Sequence, residues 1–486
     1  MRIAFVASEV FPFAKTGGLA DVAGALPKVL AKLGCDIKIF VPKYNSINET
    51  KFHFNFVEST NIPIRVAGTI RNTFLHKATL PGSDVEVNFI DCPYYFSRGL
   101  IYTNDADEDE RFILFNKAVI EIIQRLDWSP DIIHCNDWQT GLIPFYIKNN
   151  YNRENKLKKT KIVFTIHNIG YQGVFPAGSF YKAEIDAESI NNADPKPSDR
   201  FSFLKTGLLF SDTINTVSKT YAREIMTSEY GAGMETILKQ KKGRLHGILN
   251  GIDYSVWNPL TDENIPFHFN IKNIEGKKRN KKYLLEKLNL RYDDTVPLIG
   301  IVSRMVKQKG FDVFAEAVND LMEMDAQWIV LGNGEDQYED LFRSLSHSHP
   351  DKVANYIGYN NELAHLIEAG ADIFLMPSHY EPCGLNQLYS LRYGTVPIVR
   401  KTGGLADTVK DWSKNKSSNG ESGTGFSFES YSARALLATV KRAMDVFQNK
   451  NVWQKIQGNG MLQDFSWERS GKDYIKLYQS ILNKKT

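Results

Sequence analysis

Lys15–Asp21 reads KTGGLAD, and Lys401–Asp407 reads KTGGLAD again. Each copy follows a short apolar run with strand character, Ile3–Ala7 and Val396–Val399, and each precedes a helical pattern. Two ordinary Gly-Gly turns would share their glycines but not the side chains around them. The matching side chains favour a second reading: two backbone loops that approach a polar ligand closely, one per domain. Around both copies, Val- and Ile-rich runs alternate with longer amphipathic stretches, the pattern of parallel strands crossed by helices. The first series is Arg2–Ser8, Asp36–Pro42, Asp131–Cys135, Lys161–His167 and Thr213–Ser218. The second is Pro297–Ser303, Trp328–Leu331, Ile373–Pro377 and Val396–Arg400. Helical spacing of Phe112, Phe115, Val119, Ile122 and Ile123 predicts a helix over Glu108–Leu126, and further helices are expected at Phe311–Met322, Leu385–Tyr393 and Ala433–Phe447. The fold class is therefore α/β, with two doubly wound halves rather than one long sheet.

The seam lies where the periodicity fails, after Gly247–Ile252, with Asn258-Pro259 and Pro266 in a polar stretch. The expected domains are 1–245 and 246–464, with 465–486 forming a helix, centred on Trp467–Leu482, that packs back on the first half. Length and charge agree: 486 residues suit two or three domains, and 59 Lys and Arg against 56 Asp and Glu leave only +3. That balance offers no footprint for nucleic acid or an anionic membrane. No apolar run approaches the roughly 18 residues that span a bilayer. Only six uncharged residues separate Arg2 from Glu9, too few for a signal-peptide core. The four cysteines lie far apart without a CxxC pair. A cytoplasmic, reduced, metal-poor protein is expected.

Open α/β sheets bind ligands outside the carboxyl ends of their strands, so motifs just after strands carry the most weight. In Pro297–Gly310 (PLIGIVSRMVKQKG), Arg304 and Lys309 follow a strand, a planar fork and a point charge suited to two phosphate groups. In Asp372–Leu388 (DIFLMPSHYEPCGLNQL), Gly384 and Leu385 are placed to present free N–H groups at a helix N-terminus. Glu381 there would face the sugar of a sugar–phosphate rather than the phosphates, since two anions repel. Cys383 reads as a packed or pocket-lining thiol. His167 ends one strand, and HCNDW places Asp137 and Trp138 at the end of another. Asp105–Glu110 (DADEDE) is expected to be a solvated loop with acids at a helix start, although it also resembles metal-holding DxD patterns. Gly276–Lys282 (GKKRNKK) is expected to be a solvated helix start, and Ser413–Gly425 a mobile polar loop. LGNGED, at Leu331–Asp336, is too short for a dinucleotide fingerprint.

MRIAFVASEVFPFAKTGGLADVAGALP, HCNDWQTGL, TIHNIGYQG, GILNGID, SRMVKQKG, HYEPCGLNQLYSLRYGTVPIVRKTGGLADTV and DFSW resemble, in collinear order over nearly the whole chain, the bacterial glycogen synthase and plant starch synthase family. The resemblance implies a GT-B glycosyltransferase, two Rossmann-like domains facing a cleft, that moves α-glucosyl units from ADP-glucose to the non-reducing end of an α-1,4-glucan with retention. ADP-glucose would be a substrate, with glycogen or a maltooligosaccharide as acceptor, and no cofactor or metal is expected. By the same resemblance Lys15, Gly17, Gly18 and Asp21 belong to the donor-side loop of the first domain. Arg304 and Lys309 form the diphosphate clamp, Glu381 is the essential carboxylate at the donor glucose, and His167 touches the transferring sugar. Asp137 and Trp138 are the acceptor-side pair. Asn250, Tyr359 and Thr402, Gly403 and Gly404 lie around the nucleotide and sugar, beside Cys383, Gly384 and Leu385. Related retaining transferases carry a second Glu eight residues after the first; here that position is Tyr389, as in the synthases, which argues against a UDP-sugar transferase of the sister family. A phosphorylase-like enzyme should be much longer and carry a pyridoxal-phosphate lysine. A non-catalytic glucan-binding protein would need aromatic platforms but no anion clamp.

Overall fold

The computed structural model describes residues 1–56, 61–150, 156–413 and 422–483. Most of the expected polar loop, residues 414–421, therefore lies outside the described residues. The chain divides into two compact units: Met1–Gly251 joined by the chain from Trp467 onward, and Ile252–Ser466. Both boundaries expected from sequence shift. A cut at 245/246 would split the strand Leu245–Gly247, which pairs in parallel with Thr213–Thr216 and extends the first sheet. A cut at 464/465 would detach Phe465, whose carbonyl accepts from the Ile252 N–H at 2.8 Å inside the second unit.

In the first unit a ten-stranded sheet runs Leu245–Gly247, Thr213–Thr216, Lys161–Ile166, Ile132–Asn136, Arg2–Val6, Asp36–Pro42, Glu86–Asp91, Thr69–Thr79 and Asn55–Phe56, with Ile62–Val66 paired beside Thr69–Thr79. Pairing is parallel as far as Glu86–Asp91 and antiparallel beyond it. The central strands are mostly apolar and buried beyond their first residues, with His134 and Asn136 among the buried polar exceptions, because helices cover both faces. The outer antiparallel strands alternate polar and apolar residues and carry no such run. The order reverses at Arg2–Val6, which lies between Asp36–Pro42 and Ile132–Asn136. The helix Trp467–Leu482 packs on the helix Gly18–Lys32. A side chain at Gly471 would put Cβ 2.7 Å from Val29, so glycine sets the approach of these two helices. On the same helix Tyr478 OH lies 2.8 Å from His134 Nδ1, and Tyr474 OH accepts from Asn215 at 3.1 Å.

The second unit is a six-stranded, all-parallel sheet built from Leu298–Val302, Gln327–Gly332, Val353–Ile357, Ile373–Met376, Val396–Arg400 and Phe426–Phe428. Their spatial order is third, second, first, fourth, fifth, sixth, the doubly wound arrangement of dinucleotide-binding folds. Ile299, Ile301, Val330, Phe314 and Phe342 lie in the core on one face, and Leu298, Ile329, Leu366 and Phe374 on the other.

Two charge runs differ from expectation. Within DADEDE, Glu108 and Asp109 are buried and every carboxylate is claimed: Asp105 and Asp107 bind Arg98, Glu108 binds the fully buried Arg111 at 2.5 Å, and Asp109 and Glu110 bind Lys182. The run is a folded ion-pair frame at the start of the helix Glu108–Arg125 and not a solvated loop. Within GKKRNKK, Lys277 and Lys281 are buried on the helix Glu275–Lys287. Lys277 donates to Thr395 Oγ1 at 2.6 Å and Lys281 pairs with Asp372 at 2.7 Å. Four-residue spacing puts these two cations on the inner face, which a count of charges along the chain does not reveal.

Candidate active site

In the second unit the strand order reverses between Leu298–Val302 and Ile373–Met376, and the sequence-predicted residues follow the carboxyl ends around that point. Arg304 comes two residues after the first strand, Tyr359 two after the third, Glu381 five after the fourth and Thr402 two after the fifth. Arg304 is exposed, and its guanidinium meets no hydrogen-bond or ion-pair partner among the described residues. Lys309 Nζ lies 2.5 Å from Glu381 Oε2, and Ser378 Oγ donates to the same oxygen at 3.3 Å. The sequence assigned Lys309 to phosphate and Glu381 to sugar as separate tasks; the structure joins them in one ion pair. Glu381 is buried, so this cation supplies the compensation its charge requires.

The backbone beside Glu381 is moulded by the second KTGGLAD copy. Gly404 N–H donates to the carbonyls of Glu381 and Pro382 at 3.1 and 3.2 Å. A Cβ at Gly403 would fall 1.9 Å from Glu381 O, and one at Gly404 1.9 Å from Cys383 O. Cys383 is buried in this packing, as expected of a packed thiol. Gly384 has φ +71, and the helix that follows is Asn386–Tyr393 with Leu385 as its N-cap, slightly later than the expected Gly384–Leu385 start. The N–H groups of Gly384, Leu385 and Asn386 find no acceptor among the described residues, which leaves them available to an anion. Tyr359 is 81% exposed, with its hydroxyl 3.5 Å from Asn361 Oδ1. Tyr389, at the position of the second Glu in related transferases, has a structural role: it stacks on Trp257 at 3.8 Å, which stacks on His365 at 3.7 Å.

In the first unit the first KTGGLAD copy follows the reversal strand Arg2–Val6 and opens the helix Gly18–Lys32. Lys15 Nζ pairs with Asp21 at 2.6 Å, and burial raises the Asp21 carboxyl above its usual range even against that cation. In contrast to the second copy, Cβ atoms at Gly17 and Gly18 would meet nothing within 4 Å. Nothing among the described residues demands glycine at either place. Asp137 stands one residue beyond Ile132–Asn136 at φ +56. Its carboxylate accepts from the His167 N–H at 2.7 Å and from the Asn168 N–H, while burial pushes its pKa up to about 7. His167 Nε2 donates to Asn136 Oδ1 at 2.9 Å, and burial lowers its pKa to about 3, so the imidazole is neutral. Trp138 sits among Phe112, Phe175 and Phe203, with Gly173 so close that a Cβ there would lie 2.3 Å from the indole.

Asn250 belongs to the first unit, not to the 246–464 domain expected from sequence; it is buried and its Oδ1 has no partner among the described residues. Sequence reading missed Glu9. This buried carboxylate accepts from the Thr16 and Gly17 N–H groups, from Thr16 Oγ1 at 2.8 Å and from Tyr102 OH at 2.6 Å. An acid shortly after a strand and six residues before Lys15 was the available signal. Among the described residues no cluster of His, Cys, Asp or Glu could hold a metal ion, and no helix is long and apolar enough to cross a membrane.

Residues 2–240 match the family model described as "Starch synthase catalytic domain", and residues 286–455 match "Glycosyl transferases group 1". The chain is 45% identical to a glycogen synthase of Pseudothermotoga lettingae, covering 100% of both chains, and 43% identical to that of Thermotoga maritima, covering 100% of this chain and 99% of the relative. It superposes on the catalytic domain of starch synthase IV from Arabidopsis thaliana, solved bound to ADP and acarbose, with a TM-score of 0.91 at 32% identity over 99% of each chain. A sucrose-phosphate synthase from Thermosynechococcus elongatus, 16% identical over 100% of each chain with a TM-score of 0.61, shares the fold. Two Rossmann-like units, strand-end residues grouped at each reversal point and full-length identity to glycogen synthases agree: the chain belongs to the glycogen and starch synthase family of GT-B glycosyltransferases.

Proposed function

We propose that the enzyme transfers an α-glucosyl unit from ADP-glucose to the non-reducing end of an α-1,4-glucan, with retention of configuration and release of ADP, in the cytoplasm. The Lys309–Glu381 pair at the reversal point, with the unpartnered Arg304 beside the same strand ends, carries this reading. ADP leaves as an anion, so the site must favour charge that grows on the phosphate in the transition state. Arg304, Lys309 and the free N–H groups of Gly384, Leu385 and Asn386 meet that need. Glu381 orients the glucose and faces the oxocarbenium-like centre. The acceptor hydroxyl attacks from the face ADP leaves; the C1–O bond to phosphate breaks, the new C1–O bond forms, and the acceptor proton passes to the departing phosphate oxygen. In the first unit Lys15, Gly17, Gly18 and Asp21 serve the donor, Asp137 and Trp138 the acceptor, and neutral His167 the transferring sugar. Asn250 offers its unpaired Oδ1 to the substrate, Tyr359 its exposed ring to the nucleotide, and Thr402–Gly404 line the glucose.

Mixing the protein with ADP-glucose and glycogen should release ADP, with UDP-glucose a poor substitute, and EDTA should leave the rate unchanged. Turnover of UDP-glucose alone would identify a UDP-sugar transferase, and glucan binding without ADP release a non-catalytic protein. A loss of activity in EDTA that magnesium or manganese restores would overturn the metal-free mechanism.

A further inference from the structure

Glu9 has no place in the chemistry described above, yet it is among the most heavily used side chains in the first unit. It is 3% exposed, and both its oxygens are occupied by donors. Oε2 receives the N–H groups of Thr16 and Gly17, and Oε1 receives Thr16 Oγ1 and Tyr102 OH. Three of the four donors therefore belong to the loop between Lys15 and Gly18, and a fourth comes from 93 residues further along the chain. The loop has little other support: among the described residues Cβ atoms at Gly17 and Gly18 would touch nothing within 4 Å, and Lys15 reaches Asp21 and the face of Phe11.

Tyr102 is in turn fixed. Its oxygen lies 2.7 Å from Ser8 Oγ, and the neighbouring Thr103 donates to Glu108, which pairs with buried Arg111. The acidic run Asp105–Glu110 thus ends in a chain of contacts, Arg111 to Glu108 to Thr103, next to the tyrosine that holds Glu9.

We infer that Glu9 is a positioning residue for the donor loop: its carboxylate sets the backbone of Thr16 and Gly17, and through it the reach of Lys15, with Tyr102 fixing the carboxylate. This rests on the proposed donor role of Lys15. A carboxylate suits the task because it only accepts, and four donors converge on it. Charge-assisted bonds to backbone N–H groups are also stronger than neutral ones. The effect belongs in kcat, because a displacement of about 1 Å at a positioning group costs about 10²-fold without removing a contact to substrate.

The test compares Glu9→Ala, Glu9→Gln, Tyr102→Phe, Lys15→Ala and the double variant Glu9→Ala/Lys15→Ala in the full chain, by steady-state ADP release with thermal unfolding alongside. Glu9→Ala should lower kcat about 30- to 100-fold, with the KM for ADP-glucose changed less than threefold. Glu9→Gln should recover much of this, because the amide oxygen can face the two N–H groups while its NH₂ donates to the Thr16 and Tyr102 hydroxyls. Tyr102→Phe, which leaves the loop's own bonds to Glu9 intact, should cost about three- to tenfold. If Glu9 works through the loop, the double variant should be no slower than about threefold below the slower single variant. Multiplicative losses in the double variant, or a Glu9→Ala and Tyr102→Phe pair that both turn over within twofold of the parent while Lys15→Ala is impaired, would overturn the inference. Should Glu9→Ala fail to fold, Tyr102→Phe and Glu9→Gln decide it by the same measures. An unimpaired Lys15→Ala would instead overturn the reading of the donor loop itself.

Discussion

The 2.5 Å pair between Lys309 and Glu381 governs what substitution at either position does. Glu381→Gln keeps the shape, removes the charge that the proposed mechanism sets against the anomeric centre and leaves Lys309 beside an amide. Loss of one preorganised electrostatic partner costs about 10²–10³-fold in kcat, and ADP affinity measured by calorimetry should change far less; near-normal turnover would refute the assignment. Histidine burial has a different consequence. His134 and His167 are both held neutral with pKa values lowered to about 3, against 6.5 in an exposed imidazole. Below pH 6.5 the unfolded chain takes up protons that the folded unit does not, so the stability these two groups contribute is present above that pH and is lost as pH falls toward 3. Asp137, raised to about 7, acts in the opposite sense, its contribution falling as pH rises from 3.8 toward 7. His134→Gln keeps partners for Tyr478 and Thr165 while removing one titrating group. The first unit's stability, followed by hydrogen exchange, should then fall less steeply between pH 6 and 4.5, by up to about 1.4 kcal/mol per pH unit. An unchanged slope would show that His134 titrates normally in the fold.

At the scale of the element, the two KTGGLAD turns have identical sequences and different duties. The second is compressed against Glu381–Cys383, and Gly404→Ala would drive a methyl to 1.9 Å from a carbonyl oxygen. The first has open space at both glycines, and Gly17 sits at φ −150, which alanine accepts. Gly404→Ala should lower the unfolding temperature of the second unit, with a cost of about 1–3 kcal/mol typical of overpacking, and lower activity with it. Gly17→Ala should leave the unfolding temperature within a degree or two and, if the loop serves the donor as proposed, still depress ADP release, since its methyl enters open space. Equal thermal shifts in the two variants would contradict the distinction. Repeated residues thus predicted two ligand-facing loops, but which one grips its own protein depends on a separate segment, Glu381–Cys383, that folds against only the second copy.

At the scale of the molecule, the first unit is built from two separated pieces of chain. The helix Trp467–Leu482 completes it after the second unit has been made, supplying Tyr478 to His134 and Tyr474 to Asn215 and covering Val29. A chain stopped after Ser466 should lose hydrogen-exchange protection over Gly18–Lys32 and Ile132–Asn136 while Leu298–Val302 and Ile373–Met376 keep theirs. Undiminished protection at Gly18–Lys32 would show the helix to be dispensable. The α/β class, the two strand series and the strand-end placing of Arg304, Glu381, Asp137 and His167 were determined by sequence alone, because buried parallel strands demand unbroken apolar runs and ligand residues follow them directly in the chain. Other features depended on tertiary contacts: the antiparallel edge around Thr69–Thr79, the inward turn of the DADEDE and GKKRNKK charges, the Lys309–Glu381 pair and the four donors that converge on Glu9. Each of these is a contact set by how the chain folds back on itself, whether the partner lies a few residues away, as for Glu9 and Thr16, or many, as for Lys309 and Glu381. A polar edge strand carries no apolar signature, and a charge looks solvated until the partner that buries it is known, so only the tertiary structure could decide them.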